Sequence, residues 1–427
     1  MDKDSILNVI ENNKSKYLYE LKKFISYPSY EGNQEGITRC AEYLEREFCS
    51  LGFNVQFFFE DYPILFAQRI VDPKNKTLLI YGHYDVKPPG DESMWLFKPF
   101  EAEINNGKIY GRGSADNKGQ ILAYLKAFEA VKSINDIEKL NLKFIIDSQE
   151  ESGSKHFYSV INKDKELFKA DMVVLSDGKI YTSRPLIGNG IRGKLEIIIE
   201  ITGEEIDLHP GQYGNIARCA LNDTIFFINK LYQLLNIELL HSDSEISPDK
   251  IANNEEGILK RKLDDEELIE KLSKPCIIIS SINSYDHKCA MIPSKAVARI
   301  DMRLIENQDP IKLLEQIKHM CPSNITISNF KYMFPSKSLK TDYSEKVKTI
   351  LKDEIRKICK SSAIDLPYLG ISLPLSVFSD ELKIPYVIIP FAQFDAKNHQ
   401  PNENLDVIKF FNAISLIAIL LSKLNDS

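Results

Sequence analysis

Two histidines and a group of carboxylates fall where side chains could jointly hold cations. His83 and Asp85 follow the apolar run TLLIYG, Glu150 and Glu151 follow LKFIIDSQ, Asp177 follows MVVLS, and His399 comes shortly after YVIIPF. Asp116 sits in a glycine-rich loop, YGRGSADNKG, immediately before a helical segment. Imidazole and carboxylate together suit zinc, manganese or cobalt, and a carboxylate can bridge two ions. Paired ions about 3.5–4 Å apart can ionise a water and polarise a carbonyl at once. A further carboxylate must then move the proton, and the adjacent pair Glu150–Glu151 offers one group to ligate and one to act as base.

Taken singly, these residues have plainer readings. A histidine after a strand is usually a hydrogen-bonded structural residue. Asp116 alone reads as a helix N-cap, and Glu150 and Glu151 as the solvated start of a helix. Their shared placement sets them apart. The runs at 77–82, 142–147, 172–178 and 386–391 are short and apolar, as strands buried on both faces are. Segments of helical periodicity separate them, notably GQILAYLKAFEAVKSI after Gly119. That alternation predicts an α/β fold with a mostly parallel sheet, whose carboxyl edge is where ligands gather. Asp85 lies two residues from His83, so on a strand it would share that face and could orient the imidazole.

The middle of the chain changes character. KLEIIIEITG, ARCALNDTIFFINKLYQLL, PCIIISSINS, KAVARIDMRLI, DPIKLLEQIKHM and NITISNFKYMF read in order as β-α-β-β-α-β. This predicts an inserted ferredoxin-like α+β domain at 188–333, with the catalytic domain built from 1–187 and 334–427. GNGIRG at 188–193 fits the dinucleotide fingerprint, but a strand follows it where that fingerprint needs a helix.

At 427 residues the chain is long enough for two domains. A formal charge of -7 offers no basic field for nucleic acid. The first residues lack the apolar core of a secretory signal. The strongest apolar run, Phe410 to Leu421, is short and bracketed by Lys409 and Lys423, which favours a packed helix over a membrane span. Seven scattered cysteines without a CxxC pair indicate neither a disulfide framework nor a thiolate zinc site, and a cytoplasmic setting is expected.

The stretches GHYDVKPP, YGRGSADNKGQ, EESGS, VVLSDG and NHQPNE, in this order, resemble the carnosinase, aminoacylase and desuccinylase family of two-metal exopeptidases. The likeness is nearest to the carnosinase-like dipeptidase branch and covers nearly the whole chain. It implies that His83 and Asp177 bind one ion, His399 and Glu151 the other, and that Asp116 bridges them. Glu150 would be the general base and Asp85 the partner that orients His83. The inserted domain resembles the family's lid and dimerisation domain. His209, in DLHPG, would reach into the partner subunit's site to stabilise the oxyanion. Arg303, in ARIDMRL, would hold the substrate carboxylate, and Ser372, in GISLP, would contact substrate.

The chain also departs from the family's pattern. Asn117 follows Asp116 where an acid is common, and Pro210 follows the lid histidine where serine is usual. Ile371 replaces a glycine beside Ser372, and Ala290, in CAMIP, stands where the carnosinase branch carries a hydroxyl. An intact ligand set with an altered specificity shell follows. The expectation is therefore hydrolysis of an amide in a dipeptide or short peptide by a cation-ionised water, with Glu150 as base. Two divalent ions per subunit are implied, zinc first and manganese or cobalt as alternatives. A homodimer is implied, and no membrane or nucleic-acid partner. N-acyl amino acid deacylation at the same site is the rival chemistry, and a binding protein that kept the fold without turnover is the rival class.

Overall fold

The computed structural model describes residues 3–134, 137–180, 184–237, 264–284, 291–321, 326–371 and 373–426. The four apolar runs become neighbours: Leu140–Asp147, Lys76–His83, Met172–Leu175 and Tyr386–Ile388 lie side by side and parallel at the centre of an eight-stranded sheet. Period-two geometry sends Leu78, Ile80, Leu142 and Phe144 into one core and Leu79, Tyr81 and Ile145 into another on the opposite face. All eight residues of Leu140–Asp147 are buried, as a strand covered on both sides requires. The margins are antiparallel. Ile64–Arg69 and Asn54–Phe58 extend one side, and Leu186–Gly188 runs against Tyr386–Ile388 on the other.

Helix Lys118–Lys132 is buried almost all round its circumference and packs in the first core with the C-terminal helix Val407–Asn425. The latter has 19 residues and a mean hydropathy of 1.9, enough by length and composition to cross a membrane, yet 67% of its apolar window is buried inside the fold. It is longer than the apolar run Phe410–Leu421 because Val407, Ile408 and Leu424 continue it past both lysines. Near the start, the first helical segment is split into Lys3–Asn12 and Lys14–Ile25. At the break, the Asn13 side chain donates to the Val9 carbonyl at 2.8 Å, a local competitor for helical bonding.

The central segment forms Gly193–Thr202, Ala220–Leu234, Cys276–Ser284, Lys295–Leu304, Pro310–Met320 and Thr326–Ser336, the expected β-α-β-β-α-β order, to which the helices Pro210–Tyr213 and Asp265–Leu272 are added. Its four strands make a separate antiparallel sheet with Lys295–Leu304 and Gly193–Thr202 in the middle. Leu195, Ile197, Ile199 and Ile201 alternate inward onto Phe227, Leu231, Leu313 and Ile317 of the two helices. GNGIRG is the crossing between the sheets. Gly190–Ile191 pairs there with the returning strand Leu339–Lys340. A Cβ on Gly190 would lie 2.3 Å from the Leu339 carbonyl oxygen, and one on Gly193 would lie 2.6 Å from that of Ser336. These glycines let two connections touch, which accounts for the motif without a nucleotide.

Candidate metal centre

The strand Lys76–His83 delivers His83 to the carboxyl edge of the sheet and ends there, although the Tyr84 amide still donates to Asp147 O at 2.9 Å. Asp85 therefore lies past the strand, and strand periodicity does not place it. Its own contacts do. The Asp85 backbone carbonyl lies 3.0 Å from His83 Nδ1, and its carboxylate Oδ1 lies 3.3 Å from the same atom. A carbonyl oxygen only accepts, so this contact puts a proton on Nδ1. Nε2 is turned the other way and faces Asp116 Oδ1 at 3.2 Å, Asp177 Oδ2 at 3.6 Å and Glu150 Oε2 at 3.8 Å.

The two Asp85 carboxylate oxygens also accept from the amides of Glu150, at 3.1 Å, and Glu151, at 3.0 Å. This holds the single turn Glu150–Ser152, from which the two glutamates diverge. Glu150 leans toward His83, while Glu151 Oε1 reaches His399 Nε2 at 3.1 Å. His399 Nε2 is also 3.1 Å from Asp116 Oδ2. Asp116 thus turns one oxygen to each imidazole. The result is two groups, His83–Asp116–Asp177 and Asp116–Glu151–His399, each with ligand-capable atoms within 4.8 Å of one another. The Asp116–Asn117 peptide bond is cis.

His399 comes from a loop with φ of +62°, flanked by Lys397 and Asn402 in the same left-handed region. Such conformations are uncommon outside glycine and are held only where surrounding contacts impose them. His83 is fully buried whereas the His399 side chain is 50% exposed, so the centre opens on the His399 side.

The charges are unbalanced toward the acids. Burial pushes the Glu150 carboxyl well above the usual range, opposed by His83 and reinforced by Asp177, Glu151 and Asp85. Asp177 is raised by burial as well. Burial acts upward on Asp116 too, but its contacts with His399 and His83 outweigh it and hold that carboxyl low. Asp116, then Glu151, push the His399 imidazole up to about 10.

Among the described residues His83 Nε2 and Glu151 Oε1 are buried with no hydrogen bond of good geometry, each facing an ion-pair partner, Asp116 Oδ1 at 3.2 Å and His399 Nε2 at 3.1 Å. Each such atom costs about 1–3 kcal/mol if nothing satisfies it. A cation in each group would satisfy both, and a donor set of imidazole nitrogen and carboxylate oxygen fits zinc, manganese or cobalt. The residues present therefore fit two divalent ions.

The structure brings His83, Asp85, Asp116, Glu150, Glu151, Asp177 and His399 together. His209 is elsewhere, exposed at the start of the short helix Pro210–Tyr213, where its Nδ1 accepts from the Gly211 amide at 3.2 Å. Pro210 occupies the first helical position, which its fixed φ suits. Arg303 lies on Lys295–Leu304, its Nε 2.7 Å from Asp301 Oδ1. Ile371 packs against Gly178, where a Cβ would meet its Cγ2 at 2.8 Å, so this departure lies beside the Asp177 turn. Ser372 and Ala290 lie outside the described residues.

Sequence reasoning passed over Lys87, Asn398, Arg112 and Glu403. Lys87 Nζ is 3.3 Å from Glu151 Oε2, and Asn398 Nδ2 donates to Asp116 Oδ2 at 3.1 Å. Arg112 Nη1 binds Glu403 Oε2 at 2.7 Å. All four stand inside GHYDVKPP, YGRGSADNKGQ or NHQPNE. Membership of those motifs was the available signal, but the partners of Glu403 are largely backbone amides, which no residue pattern displays.

Residues 79–423 match the family model for Peptidase family M20/M25/M40. Across 99% of its length the chain is 24% identical to the Cys-Gly metallodipeptidase dug1 of Schizosaccharomyces pombe, covering 98% of that protein. A 172-residue stretch, 40% of this chain and 34% of the other, is 34% identical to human Beta-Ala-His dipeptidase. Among solved structures, the M20 family metallo-carboxypeptidase Sso-CP2 of Sulfolobus solfataricus aligns with a TM-score of 0.75 at 25% identity, over 96% of this chain and 99% of that one.

Proposed function

The chain belongs to peptidase family M20/M25/M40, and from that premise we propose that it hydrolyses the peptide bond of dipeptides or short peptides with a free carboxylate, using two divalent cations. The observation that carries this is Asp116, which offers one carboxylate oxygen to each of two imidazole-bearing groups. The activities for which the relatives are named, Cys-Gly metallodipeptidase and Beta-Ala-His dipeptidase, support a substrate of dipeptide size.

In this reading His83 and Asp177 would hold one cation, His399 and Glu151 the other, and Asp116 would contribute an oxygen to each. Bound divalent cations would supply Lewis-acid polarisation of the scissile carbonyl and lower the pKa of a water. Zinc is our first assignment, and the same donors accept manganese or cobalt. Glu150 takes the proton of the attacking water and returns it to the leaving amine. Its burial, with Asp177, Glu151 and Asp85 nearby, raises its basicity above that of an ordinary carboxylate, in the direction a general base needs. Asp85 acts through others, fixing the His83 tautomer and the glutamate turn.

We assign 188–333 as the lid and 1–187 with 334–427 as the catalytic domain. Arg303 takes the substrate carboxylate, Ser372 contacts substrate, and His209 serves a partner subunit's site in a lid-paired homodimer. The exposure of His209, outside its own chain's ligand cluster, supports that last role. A cytoplasmic setting is supported by Cys40, Cys49, Cys219, Cys276, Cys321 and Cys359, which are all free.

The test is a panel of dipeptides and N-acyl amino acids, run with zinc, manganese and cobalt on wild type and Glu150→Gln, with metal content and native mass recorded. Dipeptides should be cleaved by the wild type, and Glu150→Gln should lose about 10²–10⁴ in rate while keeping its metals. Turnover confined to N-acyl amino acids would make the chain a deacylase. Metal-loaded wild type that hydrolyses nothing in the panel would move it to the binding proteins.

A further inference from the structure

Glu403 lies four residues beyond His399 and is fully buried, yet no step above uses it. A carboxylate leaves water at little cost only where hydrogen bonds replace the solvent. Here Oε1 accepts from the backbone amides of Ala115, at 3.1 Å, and Asp116, at 3.0 Å, while Oε2 takes Arg112 Nη1 at 2.7 Å. Arg112 is itself buried, extends Nη2 to Pro88 O at 3.4 Å and lies 5.3 Å from the centroid of the Trp95 ring. The Glu403 carbonyl accepts from the Gly111 amide at 2.9 Å, and Asn404–Asp406 pairs with Lys108–Tyr110 just beyond.

One side chain therefore joins three loops: the one carrying Asp116, the one carrying His399 and, through Arg112, the one that follows His83 and Asp85. A carboxyl group buried this completely is a poor choice for filling space, because an apolar group of similar volume would need no hydrogen-bond partners. Its Oε1 is aimed at the successive backbone nitrogens of Ala115 and Asp116. Those bonds tie the Asp116 backbone to the loop that carries His399, whose Nε2 lies 3.1 Å from Asp116 Oδ2.

We propose that Glu403 is a positioning residue that holds the bridging Asp116 in register with His399, and so sets affinity for the cation on the His399 side. The proposal rests on the two-cation reading above. Groups that orient metal ligands typically change affinity by about 10–100-fold when removed. Glu403→Gln keeps an oxygen for the two amides but turns an NH₂ toward Arg112 Nη1, where two donors oppose one another.

Single-group backgrounds separate the two sides: His83→Ala leaves the His399 group, and His399→Ala leaves the His83 group. Zinc and manganese affinities are read by calorimetry on metal-stripped protein, with amide exchange at Ala115 and Asp116 read in the absence of metal. Adding Glu403→Gln should weaken binding about 10–100-fold in the His83→Ala background and leave the His399→Ala background nearly unchanged. Exchange at both amides should quicken. Equal loss on both sides, or none, would overturn the proposal. If Glu403→Gln does not fold, Arg112→Gln, which still donates one hydrogen bond, should give a smaller loss on the same side, and its failure to do so overturns the proposal equally. If neither background binds a cation even with Glu403 intact, the two-cation reading has failed, and the proposal falls with it by a distinct route.

Discussion

A carboxylate that accepts two amide protons while facing an imidazole cannot become an amide without reversing at least one hydrogen bond. Asp85 is in that position, with the Glu150 and Glu151 amides at 3.1 and 3.0 Å and His83 Nδ1 at 3.3 Å from Oδ1. In Asp85→Asn one of these contacts meets an NH₂ group. The His83 tautomer survives, because the Asp85 backbone carbonyl also holds it. The glutamate turn loses a tether. We expect kcat/KM to fall about 10–100-fold with circular dichroism unchanged. Wild-type kinetics in this variant would show that the turn holds itself. At this scale the residues that converge were legible because histidine and acid recur at the ends of apolar runs. Asp85 was found for a partly mistaken reason, since the strand that was to align it with His83 ends at His83. Glu403 and Arg112 were hidden, because their work is done on peptide groups.

At the scale of elements, the loop that carries Asp116 depends on the helix that follows it. Gly119 is the second residue of Lys118–Lys132, and a Cβ there would sit 2.1 Å from the Ser114 carbonyl oxygen and 2.6 Å from Leu405 Cδ2. Helix propensity alone favours alanine over glycine by about 1 kcal/mol. The close approach reverses the sign, because a backbone carbonyl cannot swing aside as a side-chain tip can. Gly119→Ala should destabilise the protein by about 1–3 kcal/mol in urea unfolding and weaken cation binding, since Ser114 and Asp116 share the displaced loop. A variant more stable than wild type would show that the loop has room. The helix itself was legible from its apolar length, as were the four central strands and the β-α-β-β-α-β insert. The break at Asn13 and the small sheet of Glu103–Asn105, Lys108–Tyr110 and Asn404–Asp406 were not. Three-residue strands carry too little periodicity to show, and this sheet forms only when residues far apart in the chain meet.

Across the whole molecule, the catalytic sheet is assembled from both ends of the chain around an insert, so the ends must be tied. Glu354, 1% exposed on Glu345–Cys359, receives Lys3 of the first helix at 2.7 Å, Lys357 of its own helix at 2.8 Å and Lys423 of the C-terminal helix at 2.9 Å. Burial alone would raise its pKa, but the three lysine contacts outweigh it and hold the carboxyl down to about 2. The folded state therefore binds the proton less readily than the unfolded chain, whose glutamates titrate near pH ~4.3. Stability from this group is fully present above that value and is lost as pH falls toward about 2. At about 1.4 kcal/mol per tenfold change in proton affinity the full effect would be near 3 kcal/mol. The three ammonium groups are a third to a half exposed, so screening reduces this to about 1–2 kcal/mol. Glu354→Gln should thus lose about 1–2 kcal/mol in urea unfolding at pH 7. Its deficit should stay constant down to about pH 5 and narrow below that, because only the wild type has an ionised group to protonate. A deficit that widens on acidification would mean that the three helices are joined by packing alone, with the lysines as bystanders.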